Sequence, residues 1–191
     1  MSAVPAPSAA ARAKLTYEDY AALPDDGRRY ELHDGEIELT PAPTLRHQKV
    51  SRRLHFALYQ ALELTGRGEV YSAPTDVVLH PQVVVEPDLL YVSTERSSLL
   101  ADGRFVNGAP DLVIEILSAS TRRKDILAKG RLYAQHGVPH YWTVDPEIDR
   151  VECLVLRDGA YALAGRADAP DTLHPPSFEG VAIDLGALFA E

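Results

Sequence analysis

Residues 111–146, "DLVIEILSASTRRKDILAKGRLYAQHGVPHYWTVDP", constrain the fold of this chain more than any other stretch. "DLVIEIL" is apolar without interruption, the pattern of a central strand covered on both faces. "STRRKDILAKGRLYAQHG" then reads as a helix ending near Gly137, and "VPHYWTVD" as a strand directly after it. Strand, helix, strand over about 35 residues is the length of a βαβ unit, whose second strand runs parallel or nearly parallel to the first.

The flanking segments extend this unit. Upstream, Thr16 with Asp19 is a weak capping box opening a short helix before Pro24, and "RRYELHDGEIELT" is a hairpin turning at Asp34-Gly35. From His47 to Thr65, Val50, Leu54, Leu58 and Leu62 recur at helical spacing until Gly66. "GEVYSAPTDVVLH" and "QVVVEPDLLYVS" are β-rich, with Pro87 marking an edge, a bulge or a strand start. Asp102-Gly103 lies in a polar loop, "RVECLVLRDGAYALAG" is a second hairpin turning at Asp158-Gly159, and "IDLGALF" closes the chain as a short helix or strand. The expectation is one mixed α/β sheet in a single domain over residues 15–191, after a flexible tail over residues 1–14. With 46% hydrophobic and 25% charged residues in 191, the chain is large enough for one substantial core and cramped for two.

Composition removes several classes of function. The lone cysteine, Cys153, excludes an internal disulfide, and no Cys/His spacing suits structural zinc. Cys153 itself, within "VECLVL", reads as a core residue. There is no run of about 20 apolar residues for a membrane span, no Gly-rich phosphate loop, no G-x-S-x-G and no H-E-x-x-H. A cytoplasmic protein is expected. The formal charge of -9 argues against a general nucleic-acid coat protein, yet leaves room for a nuclease, in which a few cations and a metal handle one phosphate locally.

Glu115 is the oddest residue of the central strand. Alternation sets Leu112, Ile114 and Ile116 on one face and Val113, Glu115 and Leu117 on the other, so a carboxylate points into a covered layer. A buried salt bridge accounts for it as well as a functional site does. Asp88, after Pro87 in "VVVEPDLLYV", and Glu31, in "RYELHDGEI", are two further acids in strand contexts. Taken singly, a turn and an exposed hairpin residue explain them. If the three converged, like charges ~4 Å apart would repel by about 4 kcal/mol per pair at an effective dielectric of 20. A cation or protonation would then be required, and oxygen-only ligands favour Mg²⁺, with Mn²⁺ as a possible substitute.

Lys129 falls on the same helical stripe as Ile126, Tyr133 and Gly137, so it either snorkels, pairs with Asp125 four residues before it, or reaches a buried negative group. Arg122, Arg123 and Lys124 open that helix, where the macrodipole disfavours cations unless an anion such as phosphate binds there. A second basic cluster, Arg46, His47, Lys49, Arg52 and Arg53, opens the long helix; His47 either approaches the acids or a phosphate, or caps the helix.

The ordered set Glu31, Pro87-Asp88, Glu115 and Lys129, together with "VIEILSASTRRKDILAKGRLYAQHGVPHYWTVDP", resembles the Uma family of restriction-endonuclease-like proteins, within the PD-(D/E)XK nuclease superfamily. The similarity runs from about Leu15 to Phe189 and is most specific between Ile114 and Pro146. It implies a restriction-endonuclease-like core, a mixed β-sheet flanked by α-helices with an N-terminal and a C-terminal β-hairpin. It also implies Mg²⁺-dependent hydrolysis of phosphodiester bonds in DNA: Asp88 and Glu115 would ligate the metal, Glu31 would help hold it or its water, and Lys129 would act on the attacking water and the phosphate. His47, Arg122 and Arg123 are the candidate contacts to substrate phosphate. A homodimer is a further implication. In the superfamily's basic pattern the lysine lies two residues after the second acid, where this chain has Leu117; Lys129 occupies the family's alternative position on the next helix. A catalytically silent nuclease-like domain that binds nucleic acid or another protein is the competing expectation, and hydrolysis of another phosphoester would use the same residues.

Overall fold

The central strand forms where its apolar run places it, and every one of its five residues, Leu112–Ile116, is buried. The computed structural model describes residues 13–118 and 128–191. In chain order its elements are α1 (Tyr17–Ala21), β1 (Arg29–His33), β2 (Glu36–Thr40), α2 (Leu45–Leu58), β3 (Gly68–Ser72), β4 (Val77–His80), β5 (Val83–Val85), β6 (Leu89–Ser93), β7 (Val106–Asn107) and β8 (Leu112–Ile116). They continue with α3 (Gly130–Gln135), β9 (His140–Asp145), β10 (Arg150–Arg157), β11 (Ala160–Asp168), β12 (Thr172–Leu173), β13 (Ile183–Asp184) and α4 (Leu185–Phe189). β8 and β9 are parallel, in register from Leu112↔His140 to Ile116↔Val144. The strand–helix–strand reading therefore holds for the described residues. Arg122, Arg123 and Ile126 lie outside them, as do residues 1–12 of the expected tail.

Local chemistry accounts for most element ends. Asp19 accepts from the backbone N–H and the hydroxyl of Thr16 at 2.8 and 3.0 Å, which fixes the start of α1. α2 begins at Leu45 because the Thr44 hydroxyl accepts the His47 backbone N–H at 3.2 Å; its last residues continue as a π-helical turn, Tyr59–Glu63, before Gly66 at φ 74°. Both hairpins turn as expected: Asp34-Gly35 has φ values of 50° and 81°, and Asp158-Gly159 has 50° and 80°. Positive φ at both central residues is the type I′ geometry that matches strand twist. "IDLGALF" supplies both β13 and α4.

One expectation is corrected. In place of a single sheet there are two principal ones, a six-stranded sheet in the order β11-β10-β9-β8-β6-β3 and a five-stranded sheet in the order β2-β1-β5-β4-β7, plus the β12-β13 pair. The physical reason lies in the prolines. "GEVYSAPTDVVLH" and "QVVVEPDLLYVS" each look like one β segment, yet Pro74 and Pro87 have no N–H to continue a ladder, and the halves on either side join different sheets.

The two faces of β8 face different cores. Leu112, Ile114 and Ile116 pack with Val50, Leu54 and Leu58 of α2 and with Leu185, Leu188 and Phe189 of α4. Val113 packs with Val83 and Val85 of the five-stranded sheet and with Leu132 and Tyr133 of α3. Each fully buried aliphatic or aromatic side chain contributes roughly 1.5–3 kcal/mol, so both layers are strongly driven. Cys153 belongs to the first core, and burial pushes its thiol up to about 12, in keeping with a packing role. Glu115 points with Val113 into the second layer, at the seam between the sheets.

Candidate active site

β1 brings its alternate residues Arg29, Glu31 and His33 to one face, while Leu32 turns to the opposite side and is fully buried with Val84. The Asp34-Gly35 turn sets the register Glu31↔Glu38 within the hairpin, and the single bridge Leu32↔Val84 docks β1 on β5. Glu31 then lies against the end of β5, where its Oε1 accepts the Glu86 backbone N–H at 2.9 Å.

Pro87 ends β5 and Asp88 precedes β6. The β6–β8 ladder starts at Leu89↔Ile114, so one step earlier Asp88 lies beside the end of β8. There its Oδ2 accepts the Ile116 N–H at 2.7 Å, taking over by side chain the position of a missing ladder bond. His47 reaches the same Oδ2 through Nε2 at 3.0 Å, from the first turn of α2; its Nδ1 is buried with no partner among the described residues.

Lys129 and Tyr133, one helical turn apart, approach from the third side. The Lys129 ammonium donates to Glu31 Oε1 at 2.9 Å and to Glu115 Oε1 at 3.0 Å, and the Tyr133 hydroxyl donates to that same Glu115 oxygen at 2.6 Å. The structure thus brings Glu31, Glu115 and Lys129 into direct contact, with Asp88 and His47 lining the same cavity of about 120 Å³. Of the candidate substrate contacts, His47 is engaged with Asp88, and Arg122 and Arg123 lie outside the described residues.

Burial and charge set the protonation pattern. Burial alone would raise Glu31, but the Lys129 ammonium, the His33 side chain and the Glu86 N–H outweigh it and hold the carboxyl at about 2. Burial lifts Glu115 to about 8, with Asp88 and Glu31 adding to the rise against the pull of Lys129 and Tyr133. Burial would lower Lys129, yet Glu115 and Glu31 together raise it above its ordinary value. The result is a Glu31–Lys129 ion pair beside a second carboxyl whose burial opposes its ionisation.

The donors in this cavity suit a hard cation. Asp88 and Glu115 present oxygen only, and the bonds described use one oxygen of each. Among the described residues no three His, Cys, Asp or Glu side chains are grouped to hold an ion. Mg²⁺ needs no such trio, because it is held through one or two carboxylates and keeps several waters. Glu31 Oε1 accepts from Lys129 and from the Glu86 N–H, and its Oε2 lies 3.1 Å from His33 Nε2.

Sequence reasoning missed three contributors. Arg29 and Glu86 form an ion pair at 2.7 Å on the cavity wall, and Tyr133, in sequence one more residue of an apolar stripe, donates to Glu115. The available signals were alternation from Glu31 for Arg29 and the four-residue step from Lys129 for Tyr133.

A family model, Uma2, described as "Putative restriction endonuclease", matches residues 17–186. The fold is similar to the crystal structure of a "putative nuclease belonging to DUF820" from Anabaena variabilis, with a TM-score of 0.76 and 19% identity, covering 92% of this chain and 97% of that one. No curated protein matches the chain. The likeness shows a restriction-endonuclease-like fold, with mixed sheets flanked by helices.

Proposed function

This chain belongs to the Uma2 family of restriction-endonuclease-like proteins, and from that premise we propose that it is a Mg²⁺-dependent endonuclease hydrolysing phosphodiester bonds in DNA. The observation that carries the reading is the Lys129 ammonium set between Glu31 and Glu115, in the cavity that Asp88 also lines.

In this reading Asp88 and Glu115 hold the ion. When bound, Mg²⁺ supplies Lewis-acid stabilisation of charge on the phosphate and lowers the pKa of water. Tyr133 and Lys129 hold Glu115 by one oxygen and so fix its orientation. Glu31 fixes the ammonium. Lys129, charged at all relevant pH, orients the attacking water and offsets negative charge that develops on the phosphoryl oxygens. His47 holds Asp88 from the opposite side.

A cytoplasmic location and a homodimer belong to the same proposal. Among the described residues no helix is long and apolar enough to cross a membrane. Sedimentation of the purified protein reads the oligomeric state directly.

The activity test uses plasmid and oligonucleotide DNA with Mg²⁺, Mn²⁺ or chelator, comparing wild type with Asp88→Ala and Lys129→Ala. Expected is cleavage by wild type that requires metal and falls at least ~100-fold in either variant, the loss typical of removing a group that stabilises transition-state charge. Equal behaviour of all three proteins on every substrate sinks the reading. The formal charge of -9 favours one rival, a domain that binds a partner without cutting, which would show no metal-dependent cleavage at all.

A further inference from the structure

Acids outnumber cations on the cavity wall: Glu31, Glu38, Glu86, Asp88 and Glu115 line it beside Arg29 and Lys129, so a phosphodiester there needs a cation free to face it. The Lys129 side chain is 9% exposed and donates to two carboxylates, which leaves one N–H for the reacting centre and none for a neighbouring backbone phosphate. Arg29 differs. Its side chain is 26% exposed, and the described hydrogen bonds use Nε, to Glu86 Oε2 at 2.7 Å, and Nη2, to the Glu86 carbonyl at 3.5 Å. Nη1 takes part in none of them.

We propose that Arg29 is the residue that receives substrate phosphate, its guanidinium held at the cavity wall by Glu86 and its remaining N–H groups directed to a backbone phosphate of DNA. The proposal rests on the nuclease reading above and deepens it. Three features of the placement carry it. Alternation along β1 puts Arg29 on the same face as Glu31, two residues away. Glu86 holds both ends of that relation, since its carboxylate takes Arg29 while its backbone N–H takes Glu31 Oε1 at 2.9 Å. The guanidinium is therefore fixed relative to the lysine–acid cluster before substrate arrives, which reduces the ordering cost of binding. Finally, a guanidinium pairs with phosphate through a planar fork and keeps donors to spare after one carboxylate contact, whereas a lysine would offer the same charge without the fork.

The competing account makes Arg29–Glu86 a strut between β1 and the end of β5. Anisotropy of a short labelled DNA duplex, with Ca²⁺ replacing Mg²⁺ to separate binding from cutting, distinguishes the two when repeated over a salt series. A phosphate contact contributes about 0.9 to the slope of log affinity against log salt. Arg29→Gln is expected to lose about one unit of that slope and to bind roughly 10-fold more weakly at low salt, whereas Arg29→Lys recovers the slope. Glu86→Gln, which weakens the hold but leaves the guanidinium, is expected to keep the full slope and to lose less affinity than Arg29→Gln does. A strut predicts something else: Arg29→Gln and Glu86→Gln lose melting temperature alike, and DNA affinity and slope stay at wild-type values in both. That result overturns the proposal. If wild type binds and cuts DNA while Arg29→Gln shows unchanged affinity and slope, the role of Arg29 alone falls. If wild type neither binds nor cuts, the nuclease reading falls and takes this one with it.

Discussion

The two hairpins of this protein share a turn and little else. Each reverses at an Asp-Gly pair in the same left-handed geometry, and each pairs antiparallel. The C-terminal hairpin, β10–β11, finishes the edge of the six-stranded sheet, buries Val151 and Cys153, and ties its open end with Arg150–Asp168, a cross-strand ion pair at 2.6 Å. The N-terminal hairpin, β1–β2, docks on β5 and sends Glu31 to an ammonium 98 residues away. Identical local chemistry thus builds a scaffold in one place and a wall of the candidate site in the other, and what separates them is where the alternate side chains land.

The strongest way to break this contrast is Glu31→Ala. Removing one partner of a buried pair costs ~3–5 kcal/mol, and because Glu115 still faces the Lys129 ammonium the loss in urea unfolding should fall at the lower end of that range. A smaller effect separates the acid limbs. Glu31 is depressed from its ordinary range to about 2, so its support is complete above about 4.5 and lost as pH falls toward 2. Glu31→Gln should flatten acid unfolding in that window by about 3 kcal/mol. Asp168 is also lowered, by its hydrogen bond from Arg150, but its side chain is half exposed in a surface pair; melting of Asp168→Asn should stay close to wild type across the same range.

The turns themselves give the finest test. Ala at Gly159, where φ is 80° and nothing lies within 4 Å of an added Cβ, should cost only the left-handed backbone penalty, ~1–2 kcal/mol. At Gly35 the same Cβ meets Lys14 Cβ at 2.5 Å, and overlap of that kind adds roughly 1–3 kcal/mol, so Gly35→Ala should melt lower than Gly159→Ala. Equal melting temperatures would mean that the chain before α1 does not press on the turn.

What the sequence discloses follows the same division. The Asp-Gly turns, the Thr16–Asp19 cap, the helical series from Val50 to Leu62 and the parallel β8–β9 pair depend on neighbours within a few residues or on one strongly apolar run, and all are legible. The partition into two sheets is not, because Val83–Val85 and Leu89–Ser93 carry the same apolar character on either side of Pro87 while belonging to different layers. The candidate acids and the lysine were legible as residues out of place: Glu115 in a dry strand, Lys129 on an apolar stripe. Arg29 and Tyr133 were not, since an arginine at a strand start and a tyrosine on a buried helical face are ordinary until the distant partner is known.

The seam between the sheets has a consequence for the timing of synthesis. Glu31 emerges early, yet its ammonium partner is 98 residues further along the chain, and Glu115 faces a layer that closes only when α3 has packed. A ribosome-bound or truncated chain ending before residue 129 therefore holds the acids without the lysine that joins them. The acid–lysine cluster forms only once segments far apart in the chain have been made and packed together.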